Sequence, residues 1–458
     1  MEKKLNFIEG KHILVVGLGR SGKAAVQAMV KLGAKVSVQD SKSQEEVDPQ
    51  LMTFLKGKEV TCYFNQVPKD LGEFDMLILS PGVSPELEMV KNAKKAGAEV
   101  IGELEIAYRI GQGNYVAITG TNGKTTTTTL VGEIYQKAKK KTYVVGNIGV
   151  AVISKALSAE DDAWLITETS SFQLETIKYF KPEVSAILNL TPDHMDRHKT
   201  IENYGEAKAN IFKNQDENQY LVINYDDKGC LALAKNCKAK IIFFSRKENL
   251  KLGAFVKDGK IVIKNEGGEL ISFCNTKDLS IPGSHNLENA LAAAAICYFG
   301  GIDPEVIREG LVEFQGVEHR IEFCGQVDGV RFVNDSKGTN PDASIKAVEA
   351  MEGGVVLIGG GYDKGSSFTE LIQAFGDKVK HLVLLGKTGP IMAEEAKTMG
   401  FTNCVIEKDM EDCVKKAFAL AEPGDTVLLS PACASWDMYT NFEQRGEHFK
   451  SCVQRLAR

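Results

Sequence analysis

The sequence predicts an α/β fold of three domains, each built on a mostly parallel sheet. The chain has 458 residues, more than a single hydrophobic core normally organises. Short apolar runs alternate with segments that suit helices in three successive blocks, and most runs end in a cluster of glycine, serine or aspartate. We expect an N-terminal Rossmann-like domain at residues 1–110, a central domain at 111–316 and a C-terminal Rossmann-like domain at 317–458.

The composition is that of a globular protein, and it excludes several classes of function. Hydrophobic residues make up 43% of the chain and charged residues 25%, which is ordinary for such proteins. The net charge of -6 offers no basic footprint for nucleic acid, and no apolar run is long enough for membrane insertion. Ten cysteines are scattered without a Cys-x-x-Cys pair, so we expect reduced thiols and a cytoplasmic protein.

The first block contains three apolar runs that predict parallel strands: Ile13–Val16, Lys35–Gln39 and Asp75–Leu79. A glycine turn, Gly17-x-Gly19-x-x-Gly22, follows the first run, and Asp40 follows the second. Glycines of this kind let the backbone approach a diphosphate closely, and the spacing fits a dinucleotide site. The pattern leaves three interpretations open: NAD, the diphosphate of another nucleotide-linked substrate, or a tight turn without a ligand.

The central block opens with a P-loop, which predicts an ATPase domain. An apolar run, Tyr115–Thr119, precedes the loop, and a helix-compatible segment, Thr127–Lys137, follows it. Amide groups at the start of a helix bind polyphosphate, Lys124 can reach the β- and γ-phosphates, and the Thr125 hydroxyl can bind Mg²⁺. The match is incomplete, because Ile118 stands where the usual pattern has glycine. The residues predicted to bind ATP here are Gly120, Thr121, Asn122, Gly123, Lys124, Thr125 and Thr126.

Further apolar runs extend the predicted central sheet: Ala163–Thr167, Val184–Asn189 and Tyr220–Asn224. Residues 238–273 alternate polar and apolar positions between glycine turns, which predicts a small antiparallel β insertion. Glu168 follows the first of these runs, where a metal-binding carboxylate is expected beside a phosphate loop. On composition alone, Lys208 reads as a solvated helix lysine. Either Asn286 or Asn289 could contact a base or cap the helix.

The third block offers cations and hydroxyls at one predicted sheet edge. Its apolar runs are Val330–Val333, Val355–Ile358, Leu382–Leu385 and Thr426–Leu429. Polar loops follow them and carry Lys337, Thr339, Lys364 and Ser435. Two lysines and two hydroxyls at the carboxyl edge of a sheet suit a small anionic substrate.

Together these motifs closely resemble the Mur ligase family of ATP-dependent amide-forming enzymes. The resemblance is carried by Gly120–Thr126, Glu168–Gln173, Asp193–Arg197, Gly283–Asn286 and Asn334–Lys337, and it covers essentially the whole chain. A second set of segments points, within the family, to the addition of D-glutamate: Ser80–Val83, Gly146–Gly149, Leu429–Ser435 and Asn441–Gly446.

The resemblance implies a ligase that adds D-glutamate to UDP-N-acetylmuramoyl-L-alanine through an acyl phosphate, in peptidoglycan precursor synthesis. It implies ATP and two Mg²⁺ ions. Apart from the resemblance, we expect no nucleic acid, no membrane insertion and a monomer. The glycine turn after the first strand then holds the UDP-linked substrate rather than NAD. Lys208 stands where the family has a carbamylated lysine, which turns a cation into a carboxylate-like anion.

The resemblance also implies a role for individual residues. The catalytic residues are Lys124, His194 and Lys208, and the metal ligands are Thr125, Glu168, His194 and Lys208. Asn286, Arg320 and Asp335 join the phosphate loop in binding ATP. The UDP-linked substrate is expected at Gly17, Gly19, Arg20, Ser21, Asp40, Ser41, Ser80, Pro81, Gly82, Asn147, Ser170 and Gln173. D-Glutamate is expected at Lys337, Thr339, Lys364, Ser435 and Phe442.

Three alternatives remain at this point. A different amino-acid ligase of the same family would differ chiefly in the C-terminal pocket. An NAD-dependent oxidoreductase would use the Gly17 turn and would bind NADH. A non-catalytic nucleotide switch would not require the polar residues that follow strands in all three blocks.

Overall fold

A computed structural model describes residues 7–281, 283–362 and 366–456. The described chain forms two compact units. Unit 1 comprises the described residues of Met1–Thr276 and Glu288–Leu311, and unit 2 those of Lys277–Leu287 and Val312–Arg458. Three sheets follow one another along the chain, two in unit 1 and one in unit 2. The mixed α/β class agrees with the sequence prediction, whereas the domain boundaries at residues 110 and 316 stay a prediction.

The first sheet is parallel, with the strand order β3-β2-β1-β4-β5. Its central strands are buried along their whole length, which is why their sequences read as continuous apolar runs. The strands are β1 (His12–Val16), β2 (Lys35–Asp40), β3 (Thr61–Phe64), β4 (Met76–Leu79) and β5 (Glu99–Gly102). The helices are α1 (Arg20–Lys31), α2 (Pro49–Gly57), α3 (Glu88–Lys95) and α4 (Glu103–Ile110).

The second sheet has nine strands in the order β14-β13-β12-β11-β10-β9-β6-β8-β7. The strands are β6 (Asn114–Thr119), β7 (Thr142–Gly146), β8 (Trp164–Glu168), β9 (Val184–Ile187), β10 (Tyr220–Asn224), β11 (Lys240–Ser245), β12 (Gly253–Lys257), β13 (Lys260–Lys264) and β14 (Leu270–Asn275). Strand β6 lies between β8 and β9, so the loop after β6 is flanked by the ends of both neighbours.

The predicted antiparallel insertion at residues 238–273 is only partly antiparallel. Strand β11 pairs parallel with β10, and β12 pairs parallel with β11. Strand β13 pairs antiparallel with both β12 and β14, so β13 alone runs against the other three strands of this segment. The segment therefore continues the central sheet rather than forming a separate structure. Alternating polarity indicated half-exposed strands correctly, but it carries no information on strand direction.

The helices around the second sheet are α5 (Lys124–Lys137), α6 (Val152–Ala156), α7 (Ser171–Leu174), α8 (Met195–His198), α9 (Ile201–Ala209) and α10 (Lys228–Ala234). Two more helices follow, α11 (Ser284–Phe299) and α12 (Pro304–Glu313). Residues 290–297 of α11 are completely buried, because a run of small alanine side chains lets the helix pack closely. Among the described residues, no helix combines the length and apolar character needed to cross a membrane.

The third sheet has the strand order β15-β16-β20-β17-β18-β19. Its strands are β15 (Glu322–Val327), β16 (Val330–Asn334), β17 (Val355–Gly359), β18 (Val379–Leu384), β19 (Cys404–Ile406) and β20 (Thr426–Leu429). The helices are α13 (Pro341–Ala350), α14 (Thr369–Gln373), α15 (Gly389–Thr398), α16 (Met410–Leu420) and α17 (Phe442–Leu456). The sequence did not predict β15, an antiparallel edge strand whose mixed polarity and bulge near Gly325 hide the strand pattern.

Candidate functional site

A cleft of about 440 Å³ lies at the carboxyl ends of β1, β2 and β4. Ligands of open α/β sheets bind at this edge. The residues predicted for the UDP-linked substrate that line the cleft are Gly17, Gly19, Arg20, Ser21, Asp40, Ser41, Ser80, Pro81, Gly82, Asn147 and Gln173. Ser170 does not line it; its hydroxyl caps α7 by accepting the Gln173 N–H. The structure thus brings almost the whole predicted set together.

The turn after β1 has room only for glycine at two positions. Gly17 has a φ of +85°, and a Cβ on Gly22 would lie 1.8 Å from the Gly17 carbonyl oxygen. Asp40 holds this turn from β2, because its Oδ2 accepts the Leu18 N–H at 2.6 Å and its Oδ1 accepts the Lys42 N–H at 2.9 Å. Both carboxylate oxygens therefore accept backbone N–H groups and fix the shape of the turn.

Arg20 makes its hydrogen bonds to the protein itself. Its Nη1 donates to Gly149 O at 2.8 Å, and its Nη2 donates to Gly146 O at 3.2 Å and to Asn147 O at 3.0 Å. Asn147 Nδ2 in turn donates to Glu168 Oε1 at 2.7 Å. A series of hydrogen bonds therefore connects the cleft to the carboxylate at the end of β8.

The phosphate loop connects β6 to α5. Gly120 and Gly123 have φ values of +152° and +80°, and α5 begins directly after them at Lys124. Lys124 Nζ donates to Gly120 O at 2.9 Å and to Thr121 O at 2.7 Å, so its ammonium group lies against the loop. Thr125 and Thr126 are buried in the first turn of α5. This is the arrangement of backbone amides and lysine that suits a polyphosphate.

Two asparagines support the loop: Asn189, to which the sequence analysis gave no role, and Asn289, which it considered as a base contact or a helix cap. Asn189 Oδ1 accepts the Asn122 N–H at 2.8 Å, and Asn189 Nδ2 donates to Asn122 O at 3.1 Å. Asn289 Oδ1 would lie 2.2 Å from a Cβ on Gly123, and it accepts the Thr127 hydroxyl at 3.3 Å. The loop is therefore held from two sides by amide side chains. Neither contact has a local sequence signal, because both partners are distant along the chain.

Lys208 is a buried lysine, not the solvated one that composition suggested. Only 1% of it is exposed, and its Nζ donates to Gly120 O at 2.8 Å and lies 4.2 Å from the Tyr204 ring centroid. Burial, together with the positive charge of Lys124, lowers the pKa of the Lys208 ammonium well below its usual value. Two lysines thus share one carbonyl acceptor.

Glu168 carries a buried oxygen that nothing else in the described chain satisfies. The residue is 1% exposed, its Oε1 accepts from Asn147, and among the described residues no donor reaches Oε2. A buried carboxylate oxygen without a donor is costly, and a cation would compensate it. Carboxylate oxygen is also the ligand that Mg²⁺ prefers. Glu168 therefore fits the metal site that the sequence analysis placed here.

His194 occupies a strained turn at the start of α8. It adopts φ +56° and ψ +37°, the left-handed region, which a residue with a Cβ seldom occupies. Its Nε2 lies 3.7 Å from Asp193 Oδ2, and its ring centroid is 4.9 Å from that of Phe172. The side chain is about one-third exposed, so the imidazole is accessible to a ligand.

His198 is a second histidine of this cluster, and the sequence analysis gave it no role. Its Nε2 is 2.9 Å from Ser171 Oγ, and its ring stacks on Phe172. Burial, with the charge of Arg197, lowers the pKa of His198 to about 4, so the imidazole is neutral near pH 7. We interpret it as packing for Phe172 rather than as a metal ligand.

Unit 2 contains a cleft of about 380 Å³ that includes two residues predicted to bind ATP, Asn286 and Arg320. Arg331 and Phe323 also line it, and the Arg331 guanidinium carbon lies 5.5 Å from the Phe323 ring centroid. Among the described residues, the Arg320 Nε is a buried donor without an acceptor. The lining is polar, cationic and partly aromatic, which suits a nucleotide.

Asp335, the third predicted ATP residue of unit 2, is buried just beyond β16. Its Oδ2 accepts the Ser430 hydroxyl at 2.7 Å. Burial raises the pKa of Asp335 to about 6, although the charge of Arg320 and the Ser430 hydrogen bond act in the opposite direction. The desolvated carboxylate accepts hydrogen bonds from the Ser430 hydroxyl and from the Ile321 backbone N–H.

The described residues predicted for D-glutamate lie after β16, after β20 and at the start of α17 in unit 2. Lys337 Nζ is 5.1 Å from the Phe442 ring centroid, and the Thr339 N–H donates to Lys337 O at 2.9 Å. Ser435 is buried, and its carbonyl accepts the Tyr439 N–H at 2.8 Å. The contacts bring Lys337, Thr339 and Phe442 together. Lys364 lies outside the described residues.

Arg445 connects these loops, and the sequence analysis missed its role. It is 1% exposed on α17. Its Nε donates to Ser336 Oγ at 3.0 Å and its Nη2 to Ser336 O at 2.8 Å, while Nη1 and Nη2 each lie 3.1 Å from Cys433 O. Burial lowers the pKa of Arg445 to about 10, so the group remains charged at pH 7. The guanidinium fixes the loop after β16 against the loop after β20.

Comparison with protein-family models identifies three consecutive matches. Residues 11–102 match the Mur ligase MurD-like N-terminal domain, residues 118–297 the Mur ligase middle domain, and residues 319–433 the Mur ligase glutamate ligase domain. The matches together extend over most of the chain. An oxidoreductase is therefore not favoured.

Several relatives are similar over nearly their full length. A protein of Alkaliphilus oremlandii named UDP-N-acetylmuramoylalanine--D-glutamate ligase is 50% identical over 98% of this chain and 100% of its own. One of Clostridioides difficile with the same name is 47% identical over 98% of this chain and 99% of its own.

Two solved structures share the fold at low sequence identity. UDP-N-acetylmuramate-alanine ligase MurC of Thermotoga maritima is 17% identical over 97% of this chain and 99% of its own, with a TM-score of 0.60. MurF ligase of Thermotoga maritima in complex with ADP is 16% identical over 98% of this chain and 97% of its own, with a TM-score of 0.59.

Proposed function

Because this chain belongs to the Mur ligase family, we propose that it joins D-glutamate to UDP-N-acetylmuramoyl-L-alanine, with ATP converted to ADP and phosphate. The observation that carries the proposal is identity of 44–50% over nearly full length to relatives named UDP-N-acetylmuramoylalanine--D-glutamate ligase. The polar clefts and loops at the sheet edges support it, because a ligase with three substrates needs several binding surfaces. The reaction belongs to peptidoglycan precursor synthesis.

The chemistry requires activation of a carboxylate. An amine does not displace oxygen from a carboxylate in water, because the leaving group is too poor. Transfer of the γ-phosphoryl group of ATP to the alanyl carboxylate forms an acyl phosphate and ADP. The D-glutamate amine then attacks the carbonyl carbon, a tetrahedral intermediate collapses, and phosphate leaves as the amide forms.

The phosphate loop supplies positioning and charge for the first step, as phosphoryl transfer generally requires. Its backbone amides, from Gly120 to Thr126, bind the polyphosphate at the start of α5. Lys124 moves its ammonium from the loop carbonyls to the β- and γ-phosphate oxygens. Asn189 and Asn289 keep the loop in shape, so that little rearrangement accompanies binding.

Thr125, Glu168, His194 and Lys208 are the residues that would hold Mg²⁺, with two ions in the full proposal. Mg²⁺ held by these residues would neutralise phosphate charge and act as a Lewis acid in the phosphoryl transfer. The buried Glu168 oxygen without a donor supports this assignment. Lys208 fits only after reaction of its amine with CO₂, which forms the N–C bond of a carbamate and releases one proton. Burial among a carbonyl and an aromatic ring favours an uncharged amine, which is the nucleophile in that reaction.

The remaining predicted residues are assigned to the UDP-linked substrate, to D-glutamate and to the nucleotide of ATP. The cleft at the first sheet binds the UDP-linked substrate, with the Gly17 turn close to its diphosphate. In unit 2, Lys337, Thr339, Lys364, Ser435 and Phe442 bind D-glutamate, the cations and hydroxyls facing its carboxylates. Asn286, Arg320 and Asp335 contact the nucleotide of ATP.

A phosphate-release assay tests the function. Purified protein with MgATP and UDP-N-acetylmuramoyl-L-alanine should release phosphate when D-glutamate is added, and much less with L-glutamate, lysine or diaminopimelate. Activity with lysine or diaminopimelate alone would assign a different ligase of the family. No phosphate release with any amino acid would reject the proposal.

The compartment and the oligomeric state complete the proposal. We place the protein in the cytoplasm, where ATP and nucleotide-linked sugars are found. We further propose that it acts as a monomer, which light scattering of the purified protein measures directly.

A further inference from the structure

Arg197 makes contacts that belong to two functional regions of unit 1, and the mechanism above does not use it. Its Nη1 lies 3.4 Å from Pro81 O and its Nη2 lies 3.3 Å from Val83 O. Pro81 and Val83 both line the cleft at the first sheet. The guanidinium therefore binds the back of the loop that the UDP-linked substrate contacts.

The Arg197 guanidinium also contacts Glu175 and Phe172. Nη2 also forms an ion pair with Glu175, and the guanidinium carbon lies over the Phe172 ring, 4.4 Å from its centroid. Only 15% of the Arg197 side chain and 18% of the Glu175 side chain are exposed. A partly buried arginine with a carboxylate, an aromatic face and two carbonyls is held in one orientation.

Arg197 is also connected to His194. The two residues are joined by a backbone hydrogen bond of 3.1 Å from Arg197 N to His194 O across the short helix α8. Phe172 contacts both, because its ring meets the His194 ring edge-on. His194 stands in a left-handed conformation that its surroundings must maintain.

We propose that Arg197 is a positioning residue that links the Pro81–Val83 loop of the UDP cleft to the conformation of His194. Arg197 fixes the position of the loop that holds the nucleotide-linked substrate relative to the turn that carries His194. The inference rests on the proposed function, since it assigns the cleft to the UDP-linked substrate and His194 to the reacting end. Arg197 touches no reacting atom.

Two variants separate this role from simple structural support. Arg197→Met keeps an unbranched apolar side chain but removes the guanidinium group, with its charge, its donors and its contact with the Phe172 ring. Arg197→Lys keeps the charge without the planar fork. We expect kcat to fall about 10²-fold in the methionine variant, the usual cost of a small misplacement, with partial recovery in the lysine variant. The dissociation constant of UDP-N-acetylmuramoyl-L-alanine should rise about tenfold, whereas that of a non-hydrolysable ATP analogue should change less than about twofold.

The matched control is Arg246→Met. Arg246 also pairs with a glutamate in unit 1, at 3.2 Å from Glu288, but the residues that line the UDP cleft do not include it. We expect this variant to keep both dissociation constants and kcat. Thermal unfolding of all variants shows whether the fold is intact.

The outcomes are distinct. If both Arg197 variants bind the UDP-linked substrate and turn over like the wild type, the inference is wrong. Equal weakening of both ligands would assign a general structural role and also overturn it. If the Arg197→Met variant does not fold, the Arg197→Lys variant decides. Failure of the wild-type protein to bind UDP-N-acetylmuramoyl-L-alanine would instead reject the proposed function.

Discussion

Two regions of the molecule bury charged side chains in opposite ways. In the phosphate-loop region, defined as residues 119–126 with Glu168 and Lys208, a buried lysine contacts one carbonyl and a buried carboxylate oxygen has no donor among the described residues. In the Arg445 region, defined as Ser336, Cys433 and Arg445, every nitrogen of a buried guanidinium has an oxygen acceptor.

This difference distinguishes buried charged groups that bind a ligand from those that stabilise the fold. Buried polar groups without partners are costly, so proteins retain them mainly where a ligand supplies the missing interaction. A fully bonded buried charge instead fixes the chain around it. The phosphate-loop region is therefore incomplete without its ligands, whereas the Arg445 region is complete and shapes the loops beside it.

The largest effect should follow from Lys208→Ala. Turnover should fall about 10³-fold or more, because the anion proposed at this position disappears together with its contact to the loop. Short-chain carboxylates should restore part of the activity by occupying the space. Exposed Lys213→Ala, on the same segment, serves as the control and should retain activity. Wild-type turnover in the Lys208→Ala variant would remove the modified lysine from the mechanism.

Lys124→Ala should cause the next largest effect. We expect turnover to fall about 10²–10³-fold, since one positive group opposite the transferred phosphoryl charge is lost. The thermal unfolding midpoint should stay near that of the wild type, because the ammonium group donates to the Gly120 and Thr121 carbonyls of its own loop. Steady-state kinetics and a melting curve measure the two properties. Lys137→Ala, in the last turn of the same helix, should leave both unchanged, and an unfolded Lys124→Ala protein would contradict the assignment.

Arg445→Met should destabilise unit 2 by about 4 kcal/mol, because Ser336 and Cys433 then keep buried carbonyls without a donor. Chemical denaturation followed by circular dichroism measures this change. The control is Arg455→Met on the same helix, where about half of the side chain is exposed and the expected change is under about 0.5 kcal/mol. Equal stability of the two variants would show that the Arg445 hydrogen bonds contribute little.

The smallest effect concerns pH. The pKa of Asp335 is raised from 3.8 to about 6 in the folded state, so the folded protein binds the proton more tightly than the unfolded chain. The free energy of unfolding should therefore fall by up to about 3 kcal/mol as the pH rises from about 4 to 6. Above that range, the contribution of Asp335 should no longer change with pH. Asp335→Asn should remove that part of the pH dependence. If the Asp335→Asn variant shows the same slope of unfolding free energy against pH as the wild type, Asp335 does not have a raised pKa in the folded protein.

Features of the fold that depend on local sequence patterns could be predicted, whereas features that depend on residues distant along the chain could not. Buried strands such as β1 and β20 were predictable, because their apolar runs and the turns that follow them are local patterns. Strand β15 was not, since a bulged edge strand has weak alternation. The direction of β11 and β12 was also hidden, because strand pairing depends on distant partners.

The same distinction applies to the candidate site. The Gly17 turn and the phosphate loop could be recognised from glycine spacing and the strand and helix segments around them, although spacing left the ligand of the Gly17 turn open. Lys208 reads as solvated on composition, and only the family resemblance pointed to a buried role. Arg445 lay within a recognised segment, Asn441–Gly446, yet its function depends on Ser336 and Cys433, which are distant in sequence.

The crowded turn between Gly17 and Gly22 limits how this protein can escape an inhibitor. A single methyl group on Gly22 would overlap the Gly17 carbonyl, and on Gly17 it would press on Val83 at 2.9 Å. A small molecule that rests on Gly17 and Gly22 therefore contacts two positions where any substitution adds a Cβ that crowds a neighbouring atom. Resistance arising at Gly22 would have to come with a change in the shape of the turn.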